Sequence, residues 1–185
     1  MSFVRSRGKS FGENVASTYS VYLGERGDLA KENGLKNIFD RDAWFRWRYN
    51  IRLEAAMAEH WLKKGDLDKA REFVERLYAT ATEHEVHKYI AVAHHLRARV
   101  CLAANDLTEA EKNFDAALAE LEKYPVPLVE WKVQAGKARL KTQLGQESEA
   151  QEASTRAMEI VNFIASNVND ETLRNTFLNA SKQRI

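Results

Sequence analysis

A six-residue block occurs three times in this chain, 40 residues apart. Gly65-Asp66-Leu67-Asp68-Lys69-Ala70 aligns with Asn105-Asp106-Leu107-Thr108-Glu109-Ala110, and both align with Gly145-Gln146-Glu147-Ser148-Glu149-Ala150. The same offset of 40 relates Ala58, Ala98 and Ala138, then Val74, Phe114 and Ser154, then Leu77, Ala117 and Ala157. A fixed period of this length is the mark of a repeat architecture, in which one supersecondary unit stacks on the next. A chain so built can fold only as a series of like pieces.

The residue types say what each piece is. Gly and Asn tolerate a left-handed backbone at a helix C-terminus, so Gly65, Asn105 and Gly145 end one helix in each unit. Asp66 and Asp106 then cap the next, and Asp106 with Glu109 has the spacing of a capping box. Apolar residues follow at helical period: Leu67, Ala70, Phe73, Val74 and Leu77 in one unit, and Leu107, Ala110, Phe114, Ala117, Leu118 and Leu121 in the next. The third stripe is weak at Glu147 and Ser154 and recovers at Met158, Val161 and Ile164, as befits a unit whose outer face meets water. Recurring alanines let paired helices approach closely.

The expected fold is therefore all-α, a right-handed α-solenoid of antiparallel helix hairpins. First helices are expected at about 42–64, 85–104 and 128–144, and second helices at about 66–82, 106–123 and 146–166. Pro125-Val126-Pro127 breaks the chain before the third unit. A capping helix at 170–181 offers Leu173, Phe177 and Leu178 to the open end. Residues 11–40 read as a degenerate hairpin, with helices at 12–25 and 28–38, and residues 1–10 as a flexible N-terminus. The whole of 11–181 is expected to form one superhelical domain.

The spacing of Ala58, Gly65 and Ala70 resembles the helix-turn-helix signature of the tetratricopeptide family. The unit departs from that family in length, at 40 residues rather than about 34. A narrower resemblance rests on Trp47-Arg48-Tyr49-Asn50-Ile51-Arg52-Leu53, Lys88-Tyr89-Ile90-Ala91 and the stretch from Asp170 to Leu178. These are similar to the C-terminal helical-repeat tails of bacterial signalling ATPases, including adenylate-cyclase-like and maltose-activator-like regulators. That resemblance implies a sensing or recruiting role in signalling, with nucleotide chemistry held elsewhere.

Little here suggests catalysis. Gly8-Lys9-Ser10 looks like the end of a phosphate-binding loop, but that motif needs a glycine at position 3, which is Phe. His84 and His87, with His94, His95 and Cys101 further along, could approach a metal only if further ligands converged. Histidines on a helix start and a groove wall are the plainer reading. Trp44, Trp47, Trp61 and Trp131 could stack on a ligand, although core packing accounts for such residues more simply. The lone cysteine excludes an internal disulfide, and no catalytic set, cofactor site or metal site is expected. A net charge of +1 argues against direct binding of nucleic acid or an anionic membrane. No leader or membrane-spanning stretch is evident, so a cytoplasmic protein is expected.

Charge is nevertheless unevenly spread. The three first helices sum to +7 and the three second helices to −8. In tetratricopeptide stacks the first helices line the concave face. The resemblance thus implies a groove lined by Arg48, Arg52, Glu59, Lys63, Lys88, His95, Arg99, Lys132, Arg139 and Gln143. A basic groove would attract an acidic peptide or protein segment. The competing explanation is that these cations merely pair with carboxylates on neighbouring helices. The expected function is a non-catalytic protein–protein interaction scaffold. The alternatives are a sensory domain for a small anionic ligand and a self-associating module, such as a homodimer through the solenoid ends.

Overall fold

The computed structural model describes residues 43–185, except the side chains of residues 43–46 and 49. The expected helices at 12–25 and 28–38 and the flexible N-terminus lie outside them. Among the described residues there are seven α-helices and no strand. They are α1 (Ala43–Lys64), α2 (Leu67–Glu83), α3 (His87–Ala103), α4 (Leu107–Lys123), α5 (Pro127–Gln143), α6 (Glu147–Ser166) and α7 (Glu171–Lys182). None of these helices is long and apolar enough to cross a membrane. The chain divides into two compact units between Thr80 and Ala81, within α2.

One turn, used repeatedly, shapes the chain. Gly65, Asn105 and Gly145 have φ of +78°, +61° and +72°. At each, two backbone bonds close the preceding helix. Gly65 N–H donates to Leu62 and Asp66 N–H to Trp61; Asn105 N–H donates to Leu102 and Asp106 N–H to Cys101. Gly145 N–H donates to Thr142 and Gln146 N–H to Lys141. This is the Schellman motif, in which otherwise orphaned carbonyls at a helix end are satisfied. The next residue then opens the following helix: the carbonyls of Asp66, Asp106 and Gln146 accept from Ala70, Ala110 and Ala150. Asp66 and Asp106 also cap with their side chains, accepting from Lys69 N–H at 3.1 Å and Glu109 N–H at 3.2 Å. The anticipated capping box is not completed in return, because the Glu109 carboxylate turns to Lys112 Nζ at 2.5 Å.

A fourth copy of the turn joins α2 to α3. Glu85 sits at φ +52°, Glu85 N–H donates to Thr82 and Val86 N–H to Ala81. Sequence comparison missed it because glutamate is an uncommon occupant of left-handed backbone.

Side-chain pairs fix the helix directions. His87 meets Glu120 and His94 meets Asn113, so α3 and α4 run antiparallel. Lys137 meets Asp115 and Lys141 meets Glu111, so α4 and α5 do too. In the first unit, Arg76 meets Glu54 and Lys69 Nζ lies 4.1 Å from the Trp61 ring centroid, which makes α1 and α2 antiparallel. It follows that α3 and α5 run in the same direction.

The repeat positions form the core. Ala58, Ala98 and Ala138 are buried, as are Ala70, Ala110 and Ala150 and the set Leu77, Ala117 and Ala157. Around Phe114, the second unit packs Ala91, Ala98, Ala117, Leu121, Val133 and Leu140 into one cluster. A second cluster of Trp131, Ile160 and Val161 receives Phe177 and Leu178 from α7. Leu173, expected to join them, instead stays 61% exposed.

A candidate anion-binding face around His95

Phe114 on α4 points between α3 and α5, where Gly136 makes space for it. A β-carbon at position 136 would lie 2.5 Å from Phe114 Cε1 and 3.5 Å from His95 Cε1. His95 on α3 therefore faces Gly136 on α5. One turn beyond His95 on α3 stands Arg99. On α5, Lys132 and Arg139 stand about 6 Å and 4.5 Å from Gly136 along the axis, on either side of it. Four of the ten residues expected in the groove thus gather at one place.

The electrostatics agree with that placement. Burial, reinforced by the charges of Arg99, Lys132 and Arg139, pushes the His95 ring down to about 3. His95 is therefore neutral at physiological pH, and its Nδ1 is buried with no hydrogen-bond partner. It lies beneath the surface, whereas Lys132 and Arg139 are exposed and Arg99 is half-buried. Three cations held by two adjacent parallel helices can neutralise one or more anionic groups. A buried, neutral imidazole adds no accessible base at this position.

The other expected residues fall as follows. Lys88 and Gln143 are exposed, two turns before His95 on α3 and one turn after Arg139 on α5. Lys88 Nζ lies 5.4 Å from the Tyr89 ring centroid. In the first unit, Arg48, Arg52 and Lys63 are exposed and Glu59 is half-buried, all at spacings that share one face of α1. The Arg48 guanidinium lies 5.2 Å from the Trp47 ring centroid.

The competing explanation for the first-helix charges holds for Lys137 and Lys141. Lys137 pairs with Asp115 at 2.7 Å. Lys141, only 5% exposed, pairs with Glu111 at 2.6 Å and Glu149 at 2.5 Å and donates to Gln146 at 2.9 Å. These two lysines tie first helices to second helices and belong to the frame. The repeat offset aligns Lys141 with Trp61 and Cys101, both half-buried, but did not name the carboxylates that would receive it.

The histidines and tryptophans also find structural partners. His87 stacks on Tyr124, with ring centroids 3.5 Å apart, and its Nδ1 lies 2.6 Å from Glu120. His94 Nδ1 lies 3.4 Å from Asn113, and Cys101 is half-buried against the Phe114 cluster. Among the described residues no three His, Cys, Asp or Glu side chains group as a metal site would. Trp131 is core, edge-on to Phe177 at 6.3 Å, while Trp61 is half-buried beneath Lys69. A surface cleft of about 630 Å³ lies between α4, α5 and α6, floored by Leu118, Leu121 and Pro125 and walled by the Lys137–Asp115 and Arg156–Glu130 pairs. None of the expected groove residues lines it.

No protein-family model matches the sequence, and neither does any curated protein or solved structure.

Proposed function

We propose that this protein is a non-catalytic protein–protein interaction scaffold. In this reading its hairpins form a right-handed tetratricopeptide-like α-solenoid, and an acidic peptide or protein segment docks on the basic face of the first helices. One observation carries the reading: Arg99, Lys132 and Arg139 gather around His95, and their charges add to the burial that keeps its ring neutral. Gathering like charge is costly, and an anionic partner offsets that cost.

Reversing Arg52, Arg99 and Arg139 together to Glu tests the reading. Capture of acidic partners from the source cell should be lost while helical circular dichroism is retained. Undiminished capture would sink the assignment of this face. The same cluster is compact enough to suit a small anionic ligand, the sensory alternative. A metabolite screen by thermal shift separates the two, because a ligand that binds only the folded state raises Tm by mass action.

A further inference from the structure

The segment after α7 returns onto this face. Arg184 N–H donates to the Ser181 carbonyl at 2.9 Å and Ile185 N–H to the same oxygen at 3.3 Å, which turns the backbone at the helix end. Ser181 is itself buried. Arg139 Nη2 then donates to the Arg184 carbonyl at 2.5 Å. Beside that bond, the Ile185 side chain packs against the Trp131–Ile160–Val161 cluster. One end of the basic face is thus occupied by a backbone carbonyl followed by an aliphatic side chain.

We propose that Gln183–Ile185 is an internal competitor for the basic face, and that the acidic partner segment it stands in for presents an aliphatic side chain next to the carbonyl that Arg139 receives. This rests on the reading given under Proposed function. Charge favours displacement. Gln183–Ile185 has no acidic side chain, so the seated segment is held by one hydrogen bond and apolar contact without a carboxylate side chain to balance Arg139. An acidic segment keeps both contacts and adds charge attraction.

The test uses two fluorescent peptides, six glutamates followed by Ile or by Ser, titrated by anisotropy. They are compared on the full chain, on the chain ending at Lys182, and on Ile185→Ser, which loosens the seat while leaving α7 whole. Both altered chains should bind the Ile peptide about tenfold tighter than the full chain, a change equivalent to about 1.4 kcal/mol. They should also prefer it to the Ser peptide. Equal affinity across all three chains overturns the competitor while leaving the basic face intact. Tighter binding without preference for Ile overturns the aliphatic subsite. No binding by any chain, the shortened one included, overturns the basic-face reading and the competitor with it.

Discussion

Gly136 and Phe114 share one volume: the ring occupies the place where a β-carbon at 136 would sit, 2.5 Å from Cε1 and 2.7 Å from Cζ. Phe114 is fully buried and central to its cluster, so it has little room to give way. Alanine would gain about 1 kcal/mol in helix propensity. Overpacking a well-filled core costs about 1–3 kcal/mol. Gly136→Ala should therefore lower the midpoint of urea unfolding despite being the better helix former. Combined with Phe114→Leu it should cost less than the two single changes summed, a coupling that a double-mutant cycle reads directly.

Glu85 holds a left-handed backbone without being glycine. Glu85→Gly should stabilise the protein by about 1 kcal/mol, since a side chain in that conformation costs about 1–2 kcal/mol. Gly65→Ala and Gly145→Ala should do the reverse, although no atom lies within 4 Å of either added β-carbon. Strain rather than collision would be the cause. Equal effects of alanine and glycine at these turns, measured by chemical denaturation, would contradict the mechanism.

His95 couples stability to acid. Its ring titrates near 3 in the folded chain and near the ordinary 6.5 when unfolded. The unfolded state therefore binds the extra proton first. The contribution of the neutral ring is complete above about pH 6.5 and is lost progressively as pH falls towards 3. His95→Leu should flatten that part of the stability profile, as followed by Tm against pH. Unchanged acid sensitivity would rule out His95 as its source.

Lys141 acts at the other end of the scale. Hydrogen bonds donated to Glu111 and Glu149 raise its ammonium above the ordinary value of 10.5. Its stabilising contribution is present below that value and is lost as pH rises through the raised one. Lys141→Ala should lower stability by about 1.5–3 kcal/mol, the range for hydrogen bonds to a charged group. It should also remove part of the alkaline loss seen in the parent chain.

Much of this architecture is legible in the residues alone. Gly65, Asn105 and Gly145 announce their turns because few residues accept left-handed backbone, and the buried alanines announce themselves by period. Arg99 and Arg139 share a repeat position, so the period alone places them at like points of α3 and α5. Less visible were contacts set by neighbouring hairpins. Gly136 stands where the preceding unit has Leu96, so no repeat signal marks the niche for Phe114. The buried Lys141 depends on carboxylates from two other helices, and the Arg139–Arg184 bond spans 45 residues. Glu85 was missed because its turn depends on backbone geometry that its own side chain does not encode.

The short left-handed turns also bear on how the chain reaches its fold. Each one lets consecutive helices find each other across a small closed loop, at little entropic cost. Hairpins α3–α4 and α5–α6 can thus begin assembly independently, and a chain rich in such near-neighbour contacts is expected to fold in microseconds to milliseconds. The Arg139–Arg184 contact, with its much longer closure, would then form last and open first.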